Sequence, residues 1–188
     1  MAALRLVVGL GNPGERYART RHNVGFRLVE RLAQDEPWRD FRGLGRLARW
    51  GSLLLAEPLT FMNESGRFVQ ALAAFHKIEP SQILVCFDDV ALPLGRLRVR
   101  PSGSSGGQKG MLSIIQTLGT EELPRIRLGI GPQPPGWDSA DFVLARFSAA
   151  EESALAEVLE RGAEAVRMVA EEGVPAAMNR FNPAPAEP

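Results

Sequence analysis

The chain is 188 residues long, 45% hydrophobic and formally neutral, with 22 Lys and Arg against 22 Asp and Glu, two histidines and a single cysteine. That length suits one compact domain with a sizeable core, the lone cysteine excludes an intrachain disulfide, and neutrality removes any bulk electrostatic argument for a nucleic-acid partner. No apolar stretch approaches a membrane span and "LRLVVGL" is too short for a signal peptide, so a soluble cytoplasmic protein is expected.

The first apolar run, residues 4–10, reads as a strand within "VVGLGNPGERYARTRHN", where Gly9, Gly11 and Gly14 satisfy G-x-G-x-x-G. A dinucleotide cradle needs a helix to open at the third glycine, so that free N–H groups face the pyrophosphate. Here Pro13 removes a donor, the next helical pattern waits until His22, and no acidic residue ends a second strand at the required distance. The loop is therefore not read as a nucleotide cradle.

Further along, helical patterns occupy 22–33, 64–77 and 108–118, and apolar strands 53–56, 83–87 and 126–130, with weaker strands at 44–50 and 96–100. Cys86 sits in "ILVCFDD", a buried strand by its composition. Leu155, Val158, Leu159, Val166 and Val169 keep a 3.6-residue stripe across a long helix at 153–170, followed by a shorter one around 175–180. The alternation predicts an α/β fold: a single domain over 1–181, with a twisted, mostly parallel mixed sheet and helices on both faces. The segment 182–188, "NPAPAEP", is expected to be a disordered tail. Arginines and Lys109 cluster between 95 and 127 while acids crowd the last quarter, which predicts a basic side and an acidic helical side.

In open α/β sheets, ligands gather beyond the carboxyl ends of the strands. His22 stands there at a loop-to-helix junction, suited to a general base, whereas His76 closes a helix and is expected to serve its last carbonyls. Asp88 and Asp89 end a strand; they suit turn formation, helix capping, a paired-carboxylate metal site, or the orientation of His22. A base and its orienting carboxylate with no obvious nucleophilic serine or cysteine suggest direct attack by water. Asn12 and Asn63 follow strands and can act as turn or cap residues, or as amides aimed into a cleft. "SGSSGG" is either a plain linker or a mobile rim that lets a bulky substrate approach the backbone.

Five motifs in order, from "VVGLGNPGERYARTRHNVGF" through "PLTFMNESG" and "ILVCFDDVALPLGRLRVR" to "SGGQKGM" and "IRLGIG", resemble the bacterial-type peptidyl-tRNA hydrolases over almost the whole chain. The resemblance implies a monomeric α/β hydrolase, without metal or other cofactor and without an obligate protein partner. It would cleave the ester between a peptide and the 3′-terminal ribose of tRNA, meeting the acceptor stem and 3′ end. It further implies His22 as catalytic base and Asp88 as its orienting carboxylate. Asn12 and Asn63 become substrate-holding amides, with Tyr17 and Met62 lining the cleft, and Arg98, Arg100 and Arg127 meet tRNA phosphates. One stretch departs from the family pattern. Where G-G-H-N-G is usual the chain reads "GGQKG", so Gln108 replaces a histidine and Lys109 an asparagine credited with placing the attacking water. Lys109, at a helix start where a cation gains nothing from the dipole, is read as a candidate oxyanion-stabilising cation. The departure also leaves a non-catalytic RNA-binding protein on the same fold as the alternative reading.

Overall fold

A computed structural model describes residues 3–183. At the centre of a seven-stranded sheet, β1 (Leu6–Gly9) lies between two parallel neighbours, and further strands extend the sheet on either side. In chain order these are β2 (Arg39–Phe41), β3 (Gly45–Trp50), β4 (Leu53–Pro58), β5 (Ile83–Pro93), β6 (Leu97–Arg100) and β7 (Arg125–Gly131). Their spatial order is β2-β3-β4-β1-β5-β7-β6. The pairs β4–β1, β1–β5 and β5–β7 are parallel, while β2, β3 and β6 complete the two edges by antiparallel pairing. The sheet is thus mixed with a parallel centre, as expected.

Alternation along each central strand divides the core into two layers. Val7, Leu55, Leu84, Cys86, Ile126 and Leu128 face helices α1 (Val24–Ala33), α5 (Ala149–Glu172) and α6 (Val174–Phe181). Leu6, Val8, Leu54, Val85 and Phe87 face α2 (Ser65–His76) and α3 (Lys109–Leu118).

Three elements differ from the sequence expectation. The strand β5 does not end at Phe87 but runs on to Pro93, so Asp88 and Asp89 lie within it, paired with Leu128 and Gly129 of β7, and its register shifts only after Asp89. The strand β2 escapes a search for apolar runs because Arg39 and Asp40 are exposed and only Phe41 is buried. A six-residue helix, α4 (Ser139–Leu144), occupies part of what reads as loop in "GPQPPGWDSAD"; Asp138 caps it by accepting the Ala140 N–H at 2.8 Å. Within the segment 182–188, residues 184–188 lie outside the described residues. Asn182 is bonded on both sides, accepting the Val99 N–H at 2.8 Å and donating to its carbonyl at 3.0 Å.

The helix α1 approaches the sheet where two glycines meet. A Cβ on Gly9 would run into the Gly25 carbonyl, and one on Gly25 would run into the carbonyl of Cys86 and the backbone of Leu10. Gly9 of β1 and Gly25 of α1 therefore serve helix-on-strand contact, which carries the start of α1 to the carboxyl edge of β1. The acids of α5 do not form a bare negative side, since Glu151, Glu152 and Glu160 pair with Arg21, Arg27 and Arg31.

On the β3–β4 pair, Glu57 is fully buried, with Oε2 accepting from Arg46 Nε at 2.6 Å and Oε1 without a partner. Burial pushes its carboxyl up from an ordinary value near 4.5 to about 8, against the lowering effect of Arg46. A folded-state value above the unfolded one means that the native chain keeps a proton that the unfolded chain releases. The stability linked to this group is present below about pH 4.5 and declines as pH rises towards about 8. Urea unfolding across that range should show the decline, and Glu57→Gln should flatten it; an equal slope in the variant means that Glu57 is ionised against Arg46 throughout.

Candidate active site

Beyond the carboxyl edge of β1, β4 and β5 opens a cavity of about 670 Å³, lined by Asn12, His22, Met62, Asn63, Asp88, Lys109 and Arg127 among others. Of the ten residues given a catalytic, substrate-binding or tRNA-binding role from the sequence, seven thus share one space. The other three stand apart from its lining. Tyr17 is half-buried on a 3-10 turn, with the Arg16 guanidinium 4.4 Å over its ring, while Arg98 and Arg100 lie on the edge strand β6.

The 3-10 turn Arg21–Asn23 delivers His22 to the cavity wall, where it is 9% exposed and so more enclosed than a loop-to-helix junction suggests. Its Nδ1 lies 2.8 Å from Asp88 Oδ2. A buried carboxylate accepts, so Nδ1 carries the proton and Nε2 is left as the basic nitrogen. The other oxygen of Asp88 accepts from Gln108 Nε2 at 3.0 Å. Asp89, the next residue, pairs instead with Arg127 at 2.7 Å and accepts the Ala91 N–H at 2.9 Å. The two carboxylates therefore serve different partners. Among the described residues, no three His, Cys, Asp or Glu side chains converge as metal ligands.

Asn12 is held by three bonds that also fix which way its amide points. Its N–H donates to Asn23 Oδ1 and its carbonyl accepts from Asn23 Nδ2, both at 2.9 Å. The Asn12 side-chain oxygen takes the Met62 N–H at 2.8 Å, which leaves the NH₂ group as the end available to the cavity. Nothing in the sequence marks Asn23 for a role in the site, because an asparagine before a helix reads as a cap, yet no side-chain cap bond is made there. Asn63 is exposed at the wall, and neither its own 3-10 turn nor α2 has a side-chain cap, so it is free of the capping role open to it from sequence. Lys109 is exposed at the first position of α3. Opposite, Val143 and Leu144 of α4 give the cavity an apolar wall.

The glycine-rich segment is not a plain linker. Arg125, 2% exposed, donates only to carbonyls: Gly103 at 2.5 Å, Ser104 at 2.8 Å, Leu123 at 2.9 Å and Glu121 at 3.0 Å. Burial lowers its guanidinium to about 10, still charged at neutral pH. Sequence placed this arginine in the basic cluster; the strand register instead turns it under the loop. The pairs Arg98–Arg127 and Arg100–Arg125 put all four arginines on the α2–α3 face of the sheet, with Leu97 and Val99 buried on the other.

A family model described as peptidyl-tRNA hydrolase matches residues 6–188. A peptidyl-tRNA hydrolase of Chloroflexus aggregans is 53% identical over 186 residues, covering 95% of this chain and 98% of the relative. One from Elusimicrobium minutum is 48% identical over 185 residues, covering 95% and 99%. Among solved structures, the crystal structure of peptidyl-tRNA hydrolase from Acinetobacter baumannii superposes with a TM-score of 0.88 at 32% identity, covering 97% of this chain and 96% of that one.

The loop geometry has a measurable consequence. Arg125→Met should leave four carbonyls without their donor and lower stability by at least about 2 kcal/mol, and amide exchange should accelerate across residues 103–108 before the rest of the sheet. Unchanged protection in that segment would show that the loop holds itself.

Proposed function

The chain belongs to the peptidyl-tRNA hydrolase family and hydrolyses peptidyl-tRNA, and we propose that it does so by water attack in which His22 is the base and Asp88 its orienting partner. The single observation that carries this reading is the 2.8 Å bond between His22 Nδ1 and Asp88 Oδ2, inside the cavity and with Nε2 left free. Nε2 removes a proton from water as its oxygen bonds to the ester carbonyl carbon, and Asp88 stabilises the imidazolium that results. The tetrahedral adduct then expels the ribose 3′ oxygen, which receives the proton from His22. A peptide carboxylic acid and a free tRNA 3′ end are released, the acid ionising in water.

The amides of Asn12 and Asn63 suit the peptide and terminal-nucleotide portions, with Met62 in the same cavity wall, while Tyr17 stands outside that wall on the loop that carries Asn12. Lys109 supplies an ammonium at the cavity rim, where an oxyanion would develop. Arg98, Arg100 and Arg127 form the phosphate-facing stripe for the acceptor stem, all on one sheet face. No metal or other cofactor enters this scheme, and we place the reaction in the cytoplasm, on a monomer without an obligate protein partner. No helix among the described residues is long and apolar enough to cross a membrane.

His22→Ala should lose most of kcat while still binding tRNA, and Asp88→Asn should lose less. Near-normal kcat in His22→Ala would sink the mechanism, and loss of activity in chelator would replace it with a metal-based one.

The cations separate kinetically. Loss of a transition-state contact lowers kcat and kcat/KM together, whereas loss of uniform binding raises KM alone. Lys109→Ala should cost on the order of tenfold in kcat, partly recovered in Lys109→Asn, while Arg98→Ala with Arg100→Ala should raise KM and reduce the log–log salt slope by about 0.7 to 0.9 per lost contact. A raised KM with full kcat would move Lys109 to the tRNA-binding group, and an unchanged salt slope would assign the arginine stripe to solubility.

A further inference from the structure

Gln108 spends both ends of its amide inside the fold. Its Oε1 accepts the Met111 N–H at 2.7 Å, which caps α3, and its Nε2 donates to Asp88 Oδ1 at 3.0 Å with Met62 Sδ at 3.2 Å. The residue is 8% exposed. These partners fix the amide's orientation: only the oxygen can accept the Met111 N–H, so the NH₂ group must face the carboxylate. Asp88 is then engaged at both oxygens, by His22 at one and Gln108 at the other, and rotation about its terminal torsion would break both bonds.

We infer that Gln108 is a positioning residue for the hydrolytic reaction, locking the Asp88 carboxylate against His22 and tying that pair to the start of α3, where Lys109 stands. An amide suits this task because it donates at every pH and takes no proton in exchange. The surrounding packing allows no slack. A Cβ on Gly110 would lie 2.5 Å from Met62 Sδ and 3.1 Å from Gln108 Oε1, so the first turn of α3 is pressed directly on the two side chains. The inference rests on the reading of His22 as base and concerns the geometry that keeps that base aimed.

The test must separate orientation from simple capping. Gln108→Ser keeps a good N-cap but cannot reach Asp88, and Gln108→Glu keeps the length and the accepting oxygen but replaces the donor with a carboxylate oxygen facing Asp88. Gln108→His offers one accepting and one donating ring nitrogen, and so can reproduce both bonds. Steady-state hydrolysis of N-acetyl-aminoacyl-tRNA and thermal unfolding are measured on all three. The expected result is a melting temperature near the parent's for Gln108→Ser, with KM little changed and kcat down on the order of tenfold. Gln108→Glu should fall further and Gln108→His should recover a substantial part. Full kcat in Gln108→Ser overturns the inference, as does a loss confined to KM or one that follows the unfolded fraction. Should that variant not fold, full kcat in Gln108→Glu overturns it alone. An active His22→Ala enzyme would instead overturn the underlying reading, whereas an inactive one beside fully active Gln108 variants overturns only the role given to Gln108.

Discussion

Everything at the site depends on how closely α1 can approach the sheet. Gly9 on β1 and Gly25 on α1 meet backbone to backbone, and Gly25 also rests on the Cys86 carbonyl of β5, two residues before Asp88. A side chain at either glycine would have to displace main chain, which no rotamer change can relieve. The contact puts the turn Arg21–Asn23 over the end of β1 and the stretch of β5 just past it, and that is why His22 and Asp88, 66 residues apart in sequence, come within a hydrogen bond.

Asn12 and His22 follow one pattern at the cavity wall: each is committed at one end and offered at the other. Asn12 gives its oxygen to Met62 and keeps its NH₂; His22 gives Nδ1 to Asp88 and keeps Nε2. A half-used amide or imidazole has a defined donor or acceptor facing the substrate, with no need to reorganise when charge develops. Burying such groups costs free energy unless their inner ends are bonded, and here the inner bonds of 2.7 to 3.0 Å supply that compensation.

Legibility from sequence tracked the physical origin of each feature. The central strands and the helices that cover them announce themselves by apolar runs and 3.6-residue stripes, because burial on one or two faces leaves a periodic record. Neither β2 nor α4 does. The first is an edge strand with exposed Arg39 and Asp40, and the second is only six residues long, defined by the Asp138 cap more than by any stripe. At the site, His22 and Asp88 could be singled out because histidine is scarce and the aspartate closes an apolar run, although β5 continues past it to Pro93. Asn23 could not, since its partner is the Asn12 backbone that only the tertiary fold brings near; Gln108 shows in sequence as a motif departure and Arg125 as part of a basic cluster, but not their bonds to Asp88 and to the loop carbonyls. The loop 101–107 illustrates the same limit: glycine and serine content reads as slack chain, yet a buried arginine from β7 holds its carbonyls.

Arg21 extends this argument from the base to the opposite wall. Its guanidinium lies 4.6 Å over Phe142 of α4 and 4.8 Å over Phe147, and it forms a two-pronged bond with Glu151 at 3.0 and 3.1 Å. Burial alone would raise the Glu151 carboxyl, but the bond from Arg21, the contacts to Ser148 and the Arg21 charge outweigh it and hold the group below its ordinary value. The neighbouring backbone is tied in as well, since the Arg21 N–H donates to the Ala145 carbonyl at 3.0 Å. The turn that carries the base and the short helix that supplies the apolar wall are therefore joined through one buried side chain and one main-chain bond, although α4 has only six residues with which to fix itself. A displacement of that wall would have to strain the stacking on Phe142 or the main-chain bond next to His22, so the width of the cavity and the aim of the base are set by the same contacts.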